Sequence, residues 1–333
     1  AQIERGYYEN LIGVNRQGTE VRNVFGTLKQ RKPDDWGWGE SIKFTPETGD
    51  LRFRALLPNV ELVVNNGKIK SNRWGLRDKD YELEKPSENT LRIAILGASY
   101  VFGAGISNDE VFEAIFEERL NEQGDGTNYE VMNFAFDARA VVNQVQVIDI
   151  EVLKFKPDVL MYFAHSGANR LLTNSFASVV KRGVDKLPYD YLKSVVERAG
   201  VSEDSSRDVI RNKLAPFAEE LERWSYERIV ETCRENGIRP VWVYLPRTDQ
   251  RDVKDNPEYK AQISLAKSFG FTTLTLDGVY GDYPQHELAL AVWDEHPNAL
   301  GHQLIADRLY TVFIENSGEI LGSESKPLVH SIR

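Results

Sequence analysis

The pattern of apolar and polar positions changes character near residue 90. Before that point the chain offers only short alternating runs, LRFRALL at 51–57 and VELVV at 60–64. Alternation places every second side chain on one face of an extended segment, so both runs predict short strands, with NNG at 65–67 as a turn. No helical period of any length crosses this stretch. We expect a small β-rich N-terminal region over 1–88, closing near the polar KPSEN at 85–89.

From residue 91 strands alternate with helices. RIAILG (92–97) is a continuous apolar run, as a strand covered on both faces requires. NDEVFEAIFEERLNEQG (108–124) predicts a helix, with Asn108 as N-cap, acidic residues in the first turn and Gly124 at its end. EVMNFAF (130–136) and DVLMYFA (158–164) predict strands either side of a helix over roughly 140–155. PVWVYLP (240–246) and TTLTLDG (272–278) predict two more strands, and NALGHQLIADRLYTVFIE a last helix. Five strands separated by helices predict a three-layer α/β/α domain over 89–320, built on a five-stranded parallel sheet. Residues 171–206 interrupt this rhythm directly after a strand end. Strand C-termini border the ligand site in open α/β sheets, so this stretch reads as a lid or substrate-contacting insertion, or as a solvated excursion. Residues 321–333 read as a C-terminal tail.

Composition narrows the function classes. A length of 333 residues suffices for one sizeable core with a smaller appended region. The net charge of −10 supplies no electrostatic footprint for nucleic acid or an anionic membrane, and no such partner is expected. No apolar run approaches the roughly 20 residues that cross a bilayer. Cys233 is the single cysteine, so neither an intrachain disulfide nor a thiolate metal cluster is available, and its helical context suits a small buried residue. Five histidines without H-E-x-x-H give no support to a zinc site, so no metal is expected. The chain begins at Ala1, which fits either removal of a signal or anchor segment or a trimmed chain. We expect export, with a cytoplasmic location as the alternative.

The chemistry-bearing residues fall where the pattern places strand ends and helix starts. Ser99, in ILGASYVFGAG, follows the first apolar strand, where free backbone N–H groups can meet developing negative charge. The same position suits a serine that merely caps a helix. His296, in WDEHPNALGHQLIA, precedes the last helix and is held out of it by Pro297, while His302 falls inside the helix on another face. In an extended segment Asp294 points the same way as His296 and could accept its Nδ1–H, leaving Nε2 as a base. A D-x-H is equally an ordinary loop pair or a metal-ligand fragment. Asn169 follows the third strand in YFAHSGANR and could donate its amide to an oxyanion, a bond worth roughly 2.7–4 kcal/mol in the transition state. An asparagine in a left-handed turn explains it as well. The glycines match no phosphate-binding motif.

Taken together and in order, four segments resemble the conserved blocks of the SGNH (GDSL-like) hydrolase superfamily. ILGASYVFG resembles the first block, which carries the nucleophilic serine, and NFAFDARAVVNQ (133–144) the second, whose glycine N–H helps form the oxyanion hole. GAN at 167–169 resembles G-x-N-D, and DEHPNALGH the last block, with the catalytic aspartate and histidine. NRWGLRDKDYELEKP (72–86) resembles the lead-in of many bacterial members. Four positions depart from the pattern. Ala98 replaces the aspartate of G-D-S, Ala138 stands at the second-block glycine, Arg170 replaces the aspartate of G-x-N-D, and the acid lies two residues before the histidine rather than three, where Trp293 falls.

The resemblance implies a flavodoxin-like sheet and acyl transfer without any cofactor. Ser99 would attack an ester carbonyl with His296 as base and Asp294 as its partner, and Ser99, Ala138 and Asn169 would form the oxyanion hole. Tyr100, Arg139 and Arg170 are then candidate substrate contacts. The family favours small acyl groups on carbohydrate, which makes a small-molecule or polysaccharide ester the expected substrate, and Trp36, Trp38 and Trp74 are candidates to stack on sugar rings or to fill the core. O-acetyl transfer onto a polysaccharide and non-catalytic carbohydrate binding are the alternatives.

Overall fold

The structure is a computed structural model, and it describes residues 32–34 and 36–322. The first 31 residues of the N-terminal region and all of the expected tail beyond Gly322 lie outside the described residues.

The strands are β1 (Glu61–Val64), β2 (Gly67–Lys70), β3 (Thr90–Leu96), β4 (Asn128–Asn133), β5 (Val159–Ala164), β6 (Arg239–Tyr244), β7 (Thr272–Thr275), β8 (Ala289–Ala291) and β9 (Asp294–Pro297). The helices that frame them begin with α1 (Ser99–Phe102), α2 (Phe112–Glu122), α3 (Val141–Ile150) and α4 (Ala168–Val180). They continue through α5 (Asp190–Ala199), α6 (Arg207–Leu214), α7 (Ala218–Glu235) and α8 (Pro257–Phe269) to α9 (Gln285–Leu288), α10 (Ala299–Glu315) and α11 (Ser317–Leu321). Five strands form one parallel sheet in the order β4-β3-β5-β6-β7. This is the expected three-layer α/β/α fold. The chain steps from β3 outward to β4, then returns past β3 to β5, so the strand order reverses beside β3, the place where open α/β sheets open a crevice.

Successive residues of a strand face opposite sides, and the two cores follow that rule. Ala94, Leu96 and Leu160 join a buried cluster with side chains of α3, α4, α7 and α8. Ile93, Ile95 and Met161 join a second with those of α2, α10 and α11. The segments before β3 contribute to both, Leu51, Leu76 and Tyr81 to the first and Leu62, Val64 and Ile69 to the second. Arg92 fastens that lead-in from inside. It is fully buried, and its guanidinium donates to Glu130 at 2.7 Å and to the carbonyls of Leu83, Glu82 and Phe155.

Several local expectations meet tertiary corrections. β1 and β2 form the hairpin that NNG signals, with Asn65 and Asn66 both at positive φ as a type I′ turn requires. Residues 51–57 do not form a strand, and only a single bridge joins Glu47 to Arg54. Phe53 adopts φ +73, which breaks the extended run, and the Leu51 N–H donates to Gln146 rather than to a neighbouring strand. Asn108 is not the N-cap of α2, which begins only at Phe112. The Asn108 side chain instead bonds both backbone groups of Lys70 and accepts from Arg77, tying the hairpin to the sheet domain. Residues 171–206 are largely helical, since α4 occupies 168–180 and α5 fills 190–199.

Candidate active site

Tight packing delivers Ser99 to the rim. A Cβ on Gly97 would lie 2.4 Å from the Val101 side chain, so only glycine lets α1 turn back this close to the end of β3. Ser99 is the first residue of α1, and neither its N–H nor that of Ala138 makes a hydrogen bond among the described residues. Asn133 at the end of β4 steadies the other end of this turn by donating to the Val101 carbonyl.

His296 arrives from β9, which is extended as the D-x-H reading requires. Its Nε2 lies 2.7 Å from Ser99 Oγ, and its Nδ1 lies 2.5 Å from Asp294 Oδ1. Asp294 Oδ1 also accepts the His296 N–H at 3.1 Å. Burial alone would raise the Asp294 carboxyl, but hydrogen bonds from His296 and Trp36 outweigh it and hold the group below its ordinary value. The three residues therefore form one hydrogen-bonded line, half-shielded from solvent, across 197 residues of sequence.

The histidine segment is pinned from the same rim, by residues that follow β3 and β6. Both the Tyr100 hydroxyl (2.7 Å) and the Thr248 hydroxyl (2.8 Å) donate to the Glu295 carbonyl, and Arg247 pairs with the Glu295 carboxylate. Tyr100 is 6% exposed and its ring lies 5.1 Å from that of His296, while burial pushes its hydroxyl up and keeps it a donor. Tyr100 is thus a support for His296 rather than an open substrate contact. Arg139 is 4% exposed and donates to the carbonyls of Arg54 and Phe134, although it lines the small cavity beside Ala98. The sequence pattern supplies the type of these residues but not their direction.

The remaining expected residues stand on the same C-terminal edge. Ala138 follows β4 at φ +57, a left-handed conformation natural to glycine and open to alanine only at some strain. Asn169 and Arg170 are exposed in the first turn of α4, after β5, and the Asn169 amide makes no hydrogen bond among the described residues. His302 lies elsewhere. It is buried in α10 with Nδ1 accepting the Phe112 N–H, and burial pushes it down to about 3, so it stays neutral. Among the described residues no cluster of three or more His, Cys, Asp or Glu could hold a metal.

Two contacts to the triad escaped the sequence. Trp36 Nε1 donates to Asp294 Oδ2 at 2.6 Å, and Asn65 Nδ2 does so at 3.3 Å. The Gly37 N–H in turn holds Asn65 Oδ1 at 2.5 Å. Trp36 thus spends its polar edge on the triad and packs its ring edge-on to Trp293. No spacing signal links positions 258 residues apart. Hydrogen bonds to charged groups are worth about 1.5–3 kcal/mol. If this line of residues is catalytic, Trp36→Phe, which keeps a ring, is therefore expected to lower its kcat/KM by about tenfold or more. An unchanged value would show that this donor does not hold the carboxylate.

Comparisons with known proteins follow this geometry. No family model matches the chain, and no curated protein matches it. Among solved structures, TesA is 11% identical, with 72% of this chain and 99% of that chain covered at a TM-score of 0.42. The psychrotrophic esterase EstA from Pseudoalteromonas sp. is 10% identical (68% and 98% covered, TM-score 0.43), and the acetyl xylan esterase AlAXEase is 14% identical (66% and 98% covered, TM-score 0.42). Each is a likeness of fold between chains 10–14% identical.

A buried acid lies beneath this rim. Glu222 of α7 helps line a small cavity with Ala98, Tyr162 and His165, and its one side-chain hydrogen bond comes from Tyr226 at 3.2 Å. Burial pushes its carboxyl up to about 7 from 4.5. The folded state thus holds a proton that the unfolded chain releases, and stability falls as pH rises through that window, by on the order of 2–3 kcal/mol. Glu222→Gln is expected to flatten this fall in urea unfolding measured at pH 5 and pH 8. An equal pH slope in both proteins would refute the assignment.

Proposed function

We propose that this chain is a serine esterase that hydrolyses small acyl esters, acetyl above all, on carbohydrate. The observation that carries this reading is the unbroken line from Ser99 Oγ through the His296 ring to Asp294. His296 Nε2 takes the Ser99 proton as Oγ attacks the ester carbonyl, and Asp294 holds Nδ1–H and stabilises the imidazolium. The oxyanion is received by the N–H groups of Ser99 and Ala138 and by the Asn169 amide, at the ends of β3, β4 and β5. The imidazolium then protonates the leaving alcohol, and water repeats the sequence to free the acid.

The test is hydrolysis of p-nitrophenyl esters of increasing chain length, with product analysis in the presence and absence of a sugar acceptor. Acetate as the best substrate, with free acid as product, is expected. Transfer of acetyl to the sugar would replace hydrolysis by acetyl transfer, and a folded chain that neither turns over nor reacts with a fluorophosphonate would replace it by carbohydrate binding.

A further inference from the structure

One face of α4 continues from the proposed oxyanion site into a basic cleft. Leu171, Asn174, Ser175 and Ser178 recur at helical spacing along it, and Lys181 and Arg182 stand at its end. The cleft encloses about 320 Å³, with Phe53 and Ala138 lining it from the lead-in and the β4 end, and Arg207 from α6. At 1.5 Å per residue, the stretch from Leu171 to Arg182 extends roughly 16 Å, longer than a single acyl group needs.

Its charge runs against that of the molecule. The chain carries −10 overall, yet the lining holds three cations and no acid. Lys181 and Arg207 are exposed and make no ion pair among the described residues, their donors going to the Glu203 and Asn174 carbonyls. Arg182 shares Glu47 with Arg54, and its guanidinium lies 3.7 Å from the centre of the Phe53 ring. Its Nη1 is buried without a hydrogen-bond partner. The accessible cations of the cleft are therefore Lys181 and Arg207, and ammonium and guanidinium groups both suit carboxylates. Ala138 lines this cleft and also belongs to the proposed oxyanion hole, so a ligand lying along α4 can present an ester to Ser99.

We propose that this cleft binds the carboxylates of an acidic sugar chain, so that the preferred substrate is an O-acetylated uronic-acid oligosaccharide. Lys181 and Arg207 meet the carboxylates, Asn174 and Ser178 meet sugar hydroxyls, and Arg182, held between Glu47 and the Phe53 ring, closes the far end of the cleft. The assignment of substrate rests on the esterase reading, while the binding of acidic glycan does not.

The experiment compares acetyl release from an O-acetylated oligouronate with release from the same oligosaccharide after methyl esterification, alongside p-nitrophenyl acetate. At low salt we expect at least tenfold higher kcat/KM on the acidic form, with the advantage shrinking as ionic strength rises. Lys181→Gln with Arg207→Gln, both at exposed positions, should raise KM for the acidic oligosaccharide about tenfold and leave p-nitrophenyl acetate unchanged. Equal kcat/KM on the acidic and neutral forms would overturn the proposal. If no ester is hydrolysed at all, the esterase reading fails by itself. Calorimetric binding of the acidic oligosaccharide, present in the wild type and weakened in the double variant, would then still support the cleft, and its absence would remove it.

Discussion

Replacing Ser99 by alanine is expected to lower kcat for ester hydrolysis by about 10⁴-fold or more, with little change in KM. In the proposed mechanism the hydroxyl lost is the attacking group, so the loss falls on the chemical step rather than on binding. Members of such a unit are strongly non-additive, because each is useless without the others. His296→Ala should therefore cost about as much as Ser99→Ala, and the double variant scarcely more. Since Ser99 is part-exposed at a helix start, its hydroxyl can be removed without opening a core cavity, and the variant should melt close to the wild type. A fluorophosphonate should label the wild type and leave the Ser99→Ala chain unlabelled. Hydrolysis of p-nitrophenyl acetate at equal rates by wild type, Ser99→Ala and His296→Ala would remove the proposed mechanism.

The second large effect is expected at Asp294. An asparagine there keeps the shape but replaces an anion with an amide, which can offer its N–H to the histidine. His296 would then carry its proton on Nε2, the nitrogen that faces Ser99, and could not act as base. A fall in kcat of about 10⁴-fold is expected on this ground. The surroundings of the carboxylate sharpen the prediction. Trp36 and Asn65 both donate to Oδ2, so the site is built for an acceptor on that side as well as towards His296. The asparagine amide satisfies at most one of the two sides. Because the carboxyl of Asp294 is held below its ordinary value of 3.8, its contribution to stability is present above that pH and lost as pH falls through the lower folded value. Urea unfolding of the Asp294→Asn variant should therefore show its deficit at neutral pH and lose it in strong acid. A loss of less than tenfold in kcat would assign the orienting role to another group.

The two variants with Trp36→Phe form a graded series. In the proposed mechanism Ser99 touches the reacting carbon, Asp294 acts through one hydrogen bond on the base, and Trp36 through one more bond behind that. The losses expected for Ser99→Ala and Asp294→Asn, about 10⁴-fold each, far exceed the roughly tenfold loss for Trp36→Phe, and a Trp36→Phe loss as large as either would break the proposed chain of support.

Local pattern sufficed for the sheet, and the resemblance of four ordered segments to a known family picked out the three side chains that meet on it. A strand buried on both faces must be apolar throughout, which is why RIAIL is legible as β3. The strand's exit at Gly97, where a Cβ would lie 2.4 Å from Val101, places Ser99 at the rim, as its position after the apolar run suggested. The i, i+2 relation of Asp294 and His296 is likewise a property of extended backbone, so their pairing could be read from spacing. Direction and long-range partners were not legible. Tyr100 and Arg139 have the chemistry of substrate contacts, yet packing turns both inward onto backbone carbonyls. LRFRALL alternates as a strand should, but Phe53 takes a left-handed turn and the alternation comes to nothing. Trp36 and Asn65 reach Asp294 only because the segments before β3 pack over the rim, and the basic residues along α4 converge on one cleft only once α6 is docked beside it. Periodicity records which face of an element is buried. Which distant segment covers that face is set by the packing of the whole chain, and the support and substrate-facing surfaces proposed for this site were decided there.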